Sequence, residues 1–235
     1  KGGIRGRALW EDRNGKKRED GERKGKRAEC AEEKIATEGG GWKRVGQKEI
    51  AKGKGYTEPA DIEPQGIEGI VTRFADAAVR ADRAGFDVAE VHAAHGYLVH
   101  EFLSPLSNRR TDEYGGPLEN RMRFALAVFD ADRKVFPPSK PVGVRISGSD
   151  WVEGGWSVAD SVVLSTEREK RGCAYIHVSG GGLSLEQKLR VGPCYQIGMA
   201  ARIRRAVSVP VVGVGLITEP VQAETILESG CADLV

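Results

Sequence analysis

One local pattern recurs along this chain and limits what it can fold into: an amphipathic stretch at helical spacing, a glycine, then a short apolar run. Ile67, Ile70, Val71, Phe74, Ala78 and Ala81 recur at helical spacing before Gly85 and the strand-like run 86–92. Ser157, with Asp160 three residues on, makes a capping-box variant that opens a second helix; Gly172 ends it before the run 174–179. Thr218 opens a third helix with Pro220 in its first turn, and Gly230 closes it before 232–235. Two more strand-like runs, 141–147 and 209–215, and two more helical segments, 117–135 and 195–207, fill the gaps. Strands joined through helices of this length pair in parallel, because each helix returns the chain to the edge where the previous strand began. The expected fold class is therefore α/β.

Glycine-rich turns follow strands at Ser147-Gly148, Gly180-Gly181-Gly182 and Gly213-Val214-Gly215, but none forms the G-x-G-x-x-G fingerprint that opens a helix in dinucleotide-binding sheets. Polar residues gather instead at the C-terminal ends of several strands, which is the habit of a (β/α)8 TIM barrel. Five strands do not close such a barrel, so the expectation is a barrel domain over residues 65–235 that holds the later strands and is incomplete at both ends.

Residues 1–64 read differently. Over residues 1–60 there are 17 Lys and Arg against 11 Asp and Glu, a net of +6, while the whole chain of 235 residues carries +2. This segment is charged and poorly patterned, with few apolar residues. Its basic clusters, Lys16-Lys17-Arg18 and Arg23-Lys24-Gly25-Lys26-Arg27, are interleaved with acids and nearly free of aromatics, which argues against a nucleic-acid surface. The longest apolar run, 209–217, is far too short to span a bilayer, and the first residues lack the apolar core of a signal peptide. Cys30, Cys173, Cys194 and Cys231 form no CxxC pair or zinc spacing and read as reduced packing residues, so the expected location is cytoplasmic.

The densest chemistry lies where the first strand of the barrel domain ends, at Val91-His92-Ala93-Ala94-His95-Gly96-Tyr97-Leu98. Alternation along a strand sorts the side chains near it: Glu90 goes with His92, Gly143 with Arg145 and Ser147, His177 with Ser179, and Val211 with Gly213 and Gly215. Arg145 reads either as one side of an internal salt bridge to Glu90 or as a fixed cation for an anionic or electron-rich ligand. Gly213 and Gly215 either bend the strand or clear its inward face for a bulky ligand or its phosphate. His92 and His95 have the spacing of metal ligands, as a metal-dependent hydrolase using His177 as well would require, but no third ligand stands in a recognisable spacing. Two imidazole donors that polarise a carbonyl or nitro oxygen suit the spacing better, and Tyr97 has the chemistry of a proton donor.

The run from His92 to Leu98, then 101–116 with Ser107-Asn108-Arg109-Arg110-Thr111-Asp112-Glu113-Tyr114-Gly115-Gly116, then Glu119-Asn120-Arg121 and Arg123-Phe124, closely resembles the Old Yellow Enzyme family of FMN-dependent ene-reductases. The paired histidines are similar to the bacterial branch that includes xenobiotic reductases. Gly143 to Ser147, His177 to Gly181 and Val212 to Gly215 continue the resemblance. It implies a (β/α)8 barrel holding FMN, with NAD(P)H reducing the flavin and hydride passing on to an activated alkene. It further implies that His92 and His95 hold the substrate oxygen and that Tyr97 stands at the proton donor's place. Arg145 would lie against the flavin's pyrimidine edge, and Ser179, Gly180, Gly213 and Gly215 near its ribityl chain and phosphate. Arg109 and Arg110 would order the loop or contact a partner, no metal is implied, and barrels of this family commonly pair into homo-oligomers. The family's early strands have no counterpart in residues 1–64 beyond faint likenesses at Gly6-Arg7 and Gly40-Gly41-Trp42. The alternative expectation is thus a truncated, flavin-free barrel acting as a binding or structural protein.

Overall fold

The computed structural model describes residues 62–235 in full, and before them only the backbone of two short strands. These are β1 (Val45–Gly46) and β2 (Ala60–Asp61), which pair in parallel. The rest of the charged segment expected over residues 1–64 lies outside the described residues, apart from Ile62, Glu63 and Pro64.

From there the order is α1 (Pro64–Arg83), β3 (Ala89–Ala93), α2 (Leu98–Leu103), α3 (Leu118–Val135), β4 (Val142–Ser147), α4 (Val158–Lys170), β5 (Ile176–Ser179), α5 (Ile197–Arg204), β6 (Val211–Gly213) and α6 (Pro220–Glu228). The helix boundaries follow from local chemistry. Pro64 sits in the first turn of α1, where its missing N–H costs nothing, and Gly85 at φ +84° stops the chain beyond it. Ser157 caps α4 and Asp160 reaches back, completing the capping box in both directions. Gly230 at φ +65° turns the chain out of α6.

The strands β3, β4, β5 and β6 form one parallel sheet in that order. Each strand lies beside its predecessor in sequence. A doubly wound sheet reverses strand order at a switch point, and these four strands show no reversal, as in a barrel. The fifth expected strand, 232–235, contributes a single parallel bridge from Leu234 to Val212. The short helix α2 was not expected: six residues are too few for a periodic signal, although Val99, Phe102 and Leu103 do share its buried face.

Strand alternation divides the sheet into two faces. Val91, Ala93, Val142, Val144, Ile146, Ile176, Val178 and Val211 are buried and join Ile67 of α1, Phe102 of α2 and Phe124, Val128 and Phe129 of α3 in the main core. Each such large side chain contributes about 1.5–3 kcal/mol by leaving water. The connection from α2 to α3 is held by side chains. Asn108 donates to the carbonyls of Phe102 and Tyr114 at 2.6 and 2.8 Å, and Arg110 lies over the Phe102 ring while donating to the Ile62 carbonyl at 2.9 Å. Arg110 is thus a loop-ordering residue.

Among the charged residues that lie out of water in the helical layer are Asp132 and Arg168. Arg168 of α4 is fully buried with its guanidinium 5.0 Å from the Phe129 ring centre, and Asp132 of α3 is 6% exposed. Burial pushes the Asp132 carboxyl up to about 6, against a smaller pull downward from Arg168. The folded chain then holds this proton up to about pH 6, whereas the unfolded chain releases it near 3.8. Stability from this group is fullest below pH 4, falls as pH rises towards 6, and stays lower by about 3 kcal/mol above that. The net shift already includes the attraction of Arg168. Asp132→Asn is therefore expected to stabilise the protein by about 1–3 kcal/mol at pH 7 and to flatten the pH 4–6 slope, as read by urea denaturation at several pH values. An Asn variant less stable than wild type at pH 7 would contradict this.

Candidate active site

The second face of the sheet is polar because alternation places Glu90, His92, Arg145, Ser147, His177 and Ser179 on it. Strand register sets His92, Arg145 and His177 side by side in one row, with the Glu90–Gly143 pair before it and the Ser147–Ser179 pair after it. Glu90 pairs with His177, Oε2 to Nδ1 at 3.0 Å, so the carboxylate expected opposite Arg145 is taken by the imidazole. Burial alone would raise the Glu90 carboxyl, but the His177 contact and the Tyr175 hydroxyl outweigh it and hold Glu90 below its ordinary value. Tyr175 reaches Glu90 by lying across Gly143, where any side chain would collide with its ring. Burial, reinforced by the Glu90 charge, pushes the Tyr175 hydroxyl upward.

The histidine motif turns just after β3. The Tyr97 amide donates to the Ala94 carbonyl at 3.2 Å, and His95 and Gly96 both take positive φ, 60° and 76°. A left-handed histidine is strained by about 1–2 kcal/mol, so its surroundings must hold it. The His95 amide donates to Ser147 Oγ at 3.0 Å, and Ser147 donates in turn to the Gly181 carbonyl at 3.1 Å. His95 Nε2 lies 2.7 Å from Ser179 Oγ, and the Ser179 hydroxyl lies within 3.4 Å of Gln196 Oε1. With the Ser179 proton directed at Gln196, His95 is the donor to Ser179. The His92 ring meets the His95 ring edge-on at 5.2 Å and the Tyr97 ring at 5.1 Å, and Tyr97 is 54% exposed.

Burial lowers the basicity of both histidines, and the Arg145 charge lowers it further, bringing His95 to about 4. Both rings are thus neutral donors at pH 7. The unfolded chain takes up the His95 proton near 6.5, so this residue favours folding least in acid: stability is complete above about pH 6.5 and lost as pH falls towards 4, by about 3 kcal/mol in total. His95→Gln is expected to remove most of that acid slope, which urea denaturation between pH 4 and 7 would show; an unchanged slope would place the titrating group elsewhere.

His92, His95 and Tyr97 therefore come together, with Arg145 and Ser179 on the same face. Gly180 sits between Trp151 and Met199, whose atoms would lie 2.8 and 2.9 Å from a side chain there. Gly213 does not face this side. It shares the parity of Val211, which is fully buried on the helix face, and a Cβ on it would meet Ile197, Ala232 and Ala200. Gly213 thus admits α5 to the sheet from behind, and Val212 is the residue of β6 on the polar face. Gly215, at φ +127°, lies against Gln196 and so beside the Ser179 hydroxyl. Sequence reasoning put Ser147 on the correct face but gave it no role, and it missed Gln196, which stands outside any strand and gave no periodic signal.

Three buried atoms of the row, His92 Nδ1, Arg145 Nε and His177 Nε2, make no hydrogen bond among the described residues. Buried polar atoms are normally satisfied. An aromatic ring edge bearing both carbonyl acceptors and a ring N–H donor, as FMN presents, fits such a row.

A neutral histidine pair beside a fixed cation stands at the strand ends of a parallel βα sheet in barrel order. The chain belongs to the NADH:flavin oxidoreductase / NADH oxidase family, whose model matches residues 19–235. NADPH dehydrogenase of Geobacillus sp. (strain WCH70) is 47% identical over 177 residues, covering 75% of this chain and 51% of that protein. An NADH:flavin oxidoreductase of Gibberella zeae is 41% identical over 213 residues, covering 83% and 52%. Among solved structures, morphinone reductase superposes with a TM-score of 0.69 at 32% identity over 83% of this chain and 55% of that one. A 2-naphthoyl-CoA reductase complex gives 0.74 at 25% identity, over 81% and 30%. The Old Yellow Enzyme resemblance is borne out, and the chain is an α/β protein carrying part of that TIM-barrel fold. It spans about half the length of the curated relatives it matches. No helix among the described residues is long and apolar enough to cross a membrane.

Proposed function

We propose that this chain is part of an FMN-dependent oxidoreductase that takes hydride from NAD(P)H and reduces C=C bonds activated by a carbonyl or nitro group. The observation that carries this reading is the row of His92, Arg145 and His177, with three buried polar atoms unsatisfied on one face. When bound, FMN supplies the two-electron carrier that accepts hydride from the nicotinamide and hands it to the alkene. Arg145 would hold a permanent positive charge beside the flavin ring, suited to stabilising negative charge there. Ser179, Gly180 and Gly215 would hold the ribityl side of the group, and Gly213 acts from behind by admitting α5.

His92 and His95, both neutral, hold the substrate's oxygen by hydrogen bonds that strengthen as negative charge develops there. Ser179 keeps the His95 N–H aimed until that oxygen replaces it. Tyr97, exposed and with its ring tilted against His92, delivers the proton to the carbon next to the activating group. The same reading makes the partner a small molecule rather than nucleic acid, expects self-association, and places the protein in the cytoplasm, where Cys173, Cys194 and Cys231 stay as free thiols.

The test is the visible spectrum of the purified chain. The reading expects flavin bands that bleach with NADPH and return when cyclohexenone is added. A colourless chain that takes up no added FMN would overturn it and favour the flavin-free binding or structural role.

A further inference from the structure

Behind the histidine turn runs a chain of polar groups that touches no reacting atom. His100 of α2, Ser104 and Asp150 are each fully buried. The Gly96 amide donates to His100 Nδ1 at 2.9 Å. On the other side of the ring, His100 Nε2 lies 3.0 Å from Asp150 Oδ1 in a close but bent contact. Asp150 Oδ2 accepts from Ser104 Oγ at 2.6 Å and from the Trp156 amide at 2.7 Å.

We propose that His100 and Asp150 are positioning residues of this site: the Asp150 carboxylate fixes His100 as the Nε2–H tautomer, whose Nδ1 lone pair anchors the Gly96 amide and so holds His95 and Tyr97 in place. The catalytic purpose rests on the flavin-oxidoreductase reading, while the tautomer and the anchoring stand on geometry alone. An amide N–H needs a lone pair on Nδ1, so the ring cannot carry a proton there, and its one proton sits on Nε2 facing the carboxylate. Burial would raise the Asp150 carboxyl, but the contacts from His100, Ser104 and Trp156 outweigh it and keep it below its ordinary value. The acceptor presented to His100 is therefore ionised at neutral pH. The anchored atom is well chosen, because Gly96 lies between His95 and Tyr97 in a turn of two successive positive φ angles. Without a partner for the Gly96 amide, one of the contacts that hold His95 away from ordinary backbone angles is lost, beside those from Ser147 and Ser179.

Asp150→Asn gives a discriminating test because the amide cannot choose its orientation. The Trp156 backbone N–H requires an oxygen at the Oδ2 position, which puts the NH2 group against His100 Nε2. The His100 proton must then move to Nδ1, where it confronts the Gly96 N–H. Long-range 1H–15N correlation on the labelled full chain reads each ring's tautomer directly. Expected are an Nε2-protonated His100 in the wild type, an Nδ1-protonated His100 in Asp150→Asn, and at least tenfold faster Gly96 amide exchange with shifted His95 ring signals in that variant. Ser104→Ala, which removes one bond to the same carboxylate and leaves the proton in place, should keep the wild-type tautomer. In FMN-loaded protein the Asn variant should raise KM for cyclohexenone about tenfold with FMN affinity unchanged, since the Arg145 row is untouched.

An Nδ1-protonated or doubly protonated His100 in the wild type overturns the proposal, and so does an Asn variant with unaltered Gly96 and His95 signals. Should that variant fail to fold, the wild-type tautomer decides alone. Failure to load FMN overturns the functional reading instead, and the tautomer and Gly96 exchange still decide the positioning role.

Discussion

Gly182→Ala is expected to destabilise the protein by about 3 kcal/mol and to dislodge the histidine turn even where the fold survives. A Cβ on Gly182 would stand 2.6 Å from His95 Cα and 2.8 Å from the His95 carbonyl carbon and oxygen. These are backbone atoms, which cannot swing aside as the end of a long side chain does. The φ of +90° adds its own strain for any residue with a Cβ. The contact is reciprocal, because a Cβ on Gly96 would stand 2.6 Å from the Gly182 carbonyl oxygen. Gly154→Ala is the matched control, since its φ is also positive, +71°, but nothing lies within 4 Å of the added methyl. That variant should lose only the strain, about 1 kcal/mol. The two changes at Gly96 and Gly182 break one contact and should add to less than their sum. Equilibrium denaturation separates these expectations, and a Gly182→Ala variant as stable as Gly154→Ala would show that the two loops do not meet as described.

Arg145→Met should have the larger effect on function. The side chain keeps an unbranched apolar body and loses the guanidinium with its charge, so the fold should persist. Loss of a fixed charge where negative charge develops slows turnover by about 100-fold or more, and FMN binding should weaken with it. A second consequence needs no flavin. Arg145 is the strongest charge holding down the basicity of His95 after burial itself, so His95 should titrate higher than about 4 in the variant. Proton NMR of the imidazole signals reads that directly. An unmoved His95 titration, or full FMN affinity and turnover, would remove Arg145 from the site. Arg145→Lys is not a neutral control, because an ammonium offers neither the planar fork nor the Nε donor.

What could be read from the sequence followed from short-range physics. The capping box of Ser157 and Asp160, the stop at Gly85 and the sorting of Glu90 with His92 and of Arg145 with Ser147 within their strands all depend on residues a few positions apart, and all appear in the structure. Face assignment failed at Gly213, where parity was right but the wrong face was taken as inward; only the helices packed on Val211 show which side is which. The pairing of Glu90 with His177 rather than Arg145 depended on Tyr175 and on a neighbour 87 residues away. The Asp150–His100 contact is legible only once β4 lies beside β3. Gln196 and Ser147 become parts of the site through loop conformation, which local sequence does not specify.

The sequential strand order has a kinetic meaning as well. In β3-β4-β5-β6 each pairing reaches back only to the strand made just before it, with a helix between. Loop closure is then paid in small, similar instalments, and the sheet can lengthen by one strand and helix at a time as the chain leaves the ribosome. The polar face, however, is assembled across strands. Glu90 has no imidazole partner until β5 docks, so the electrostatic pattern of the site forms only once β3, β4 and β5 are together.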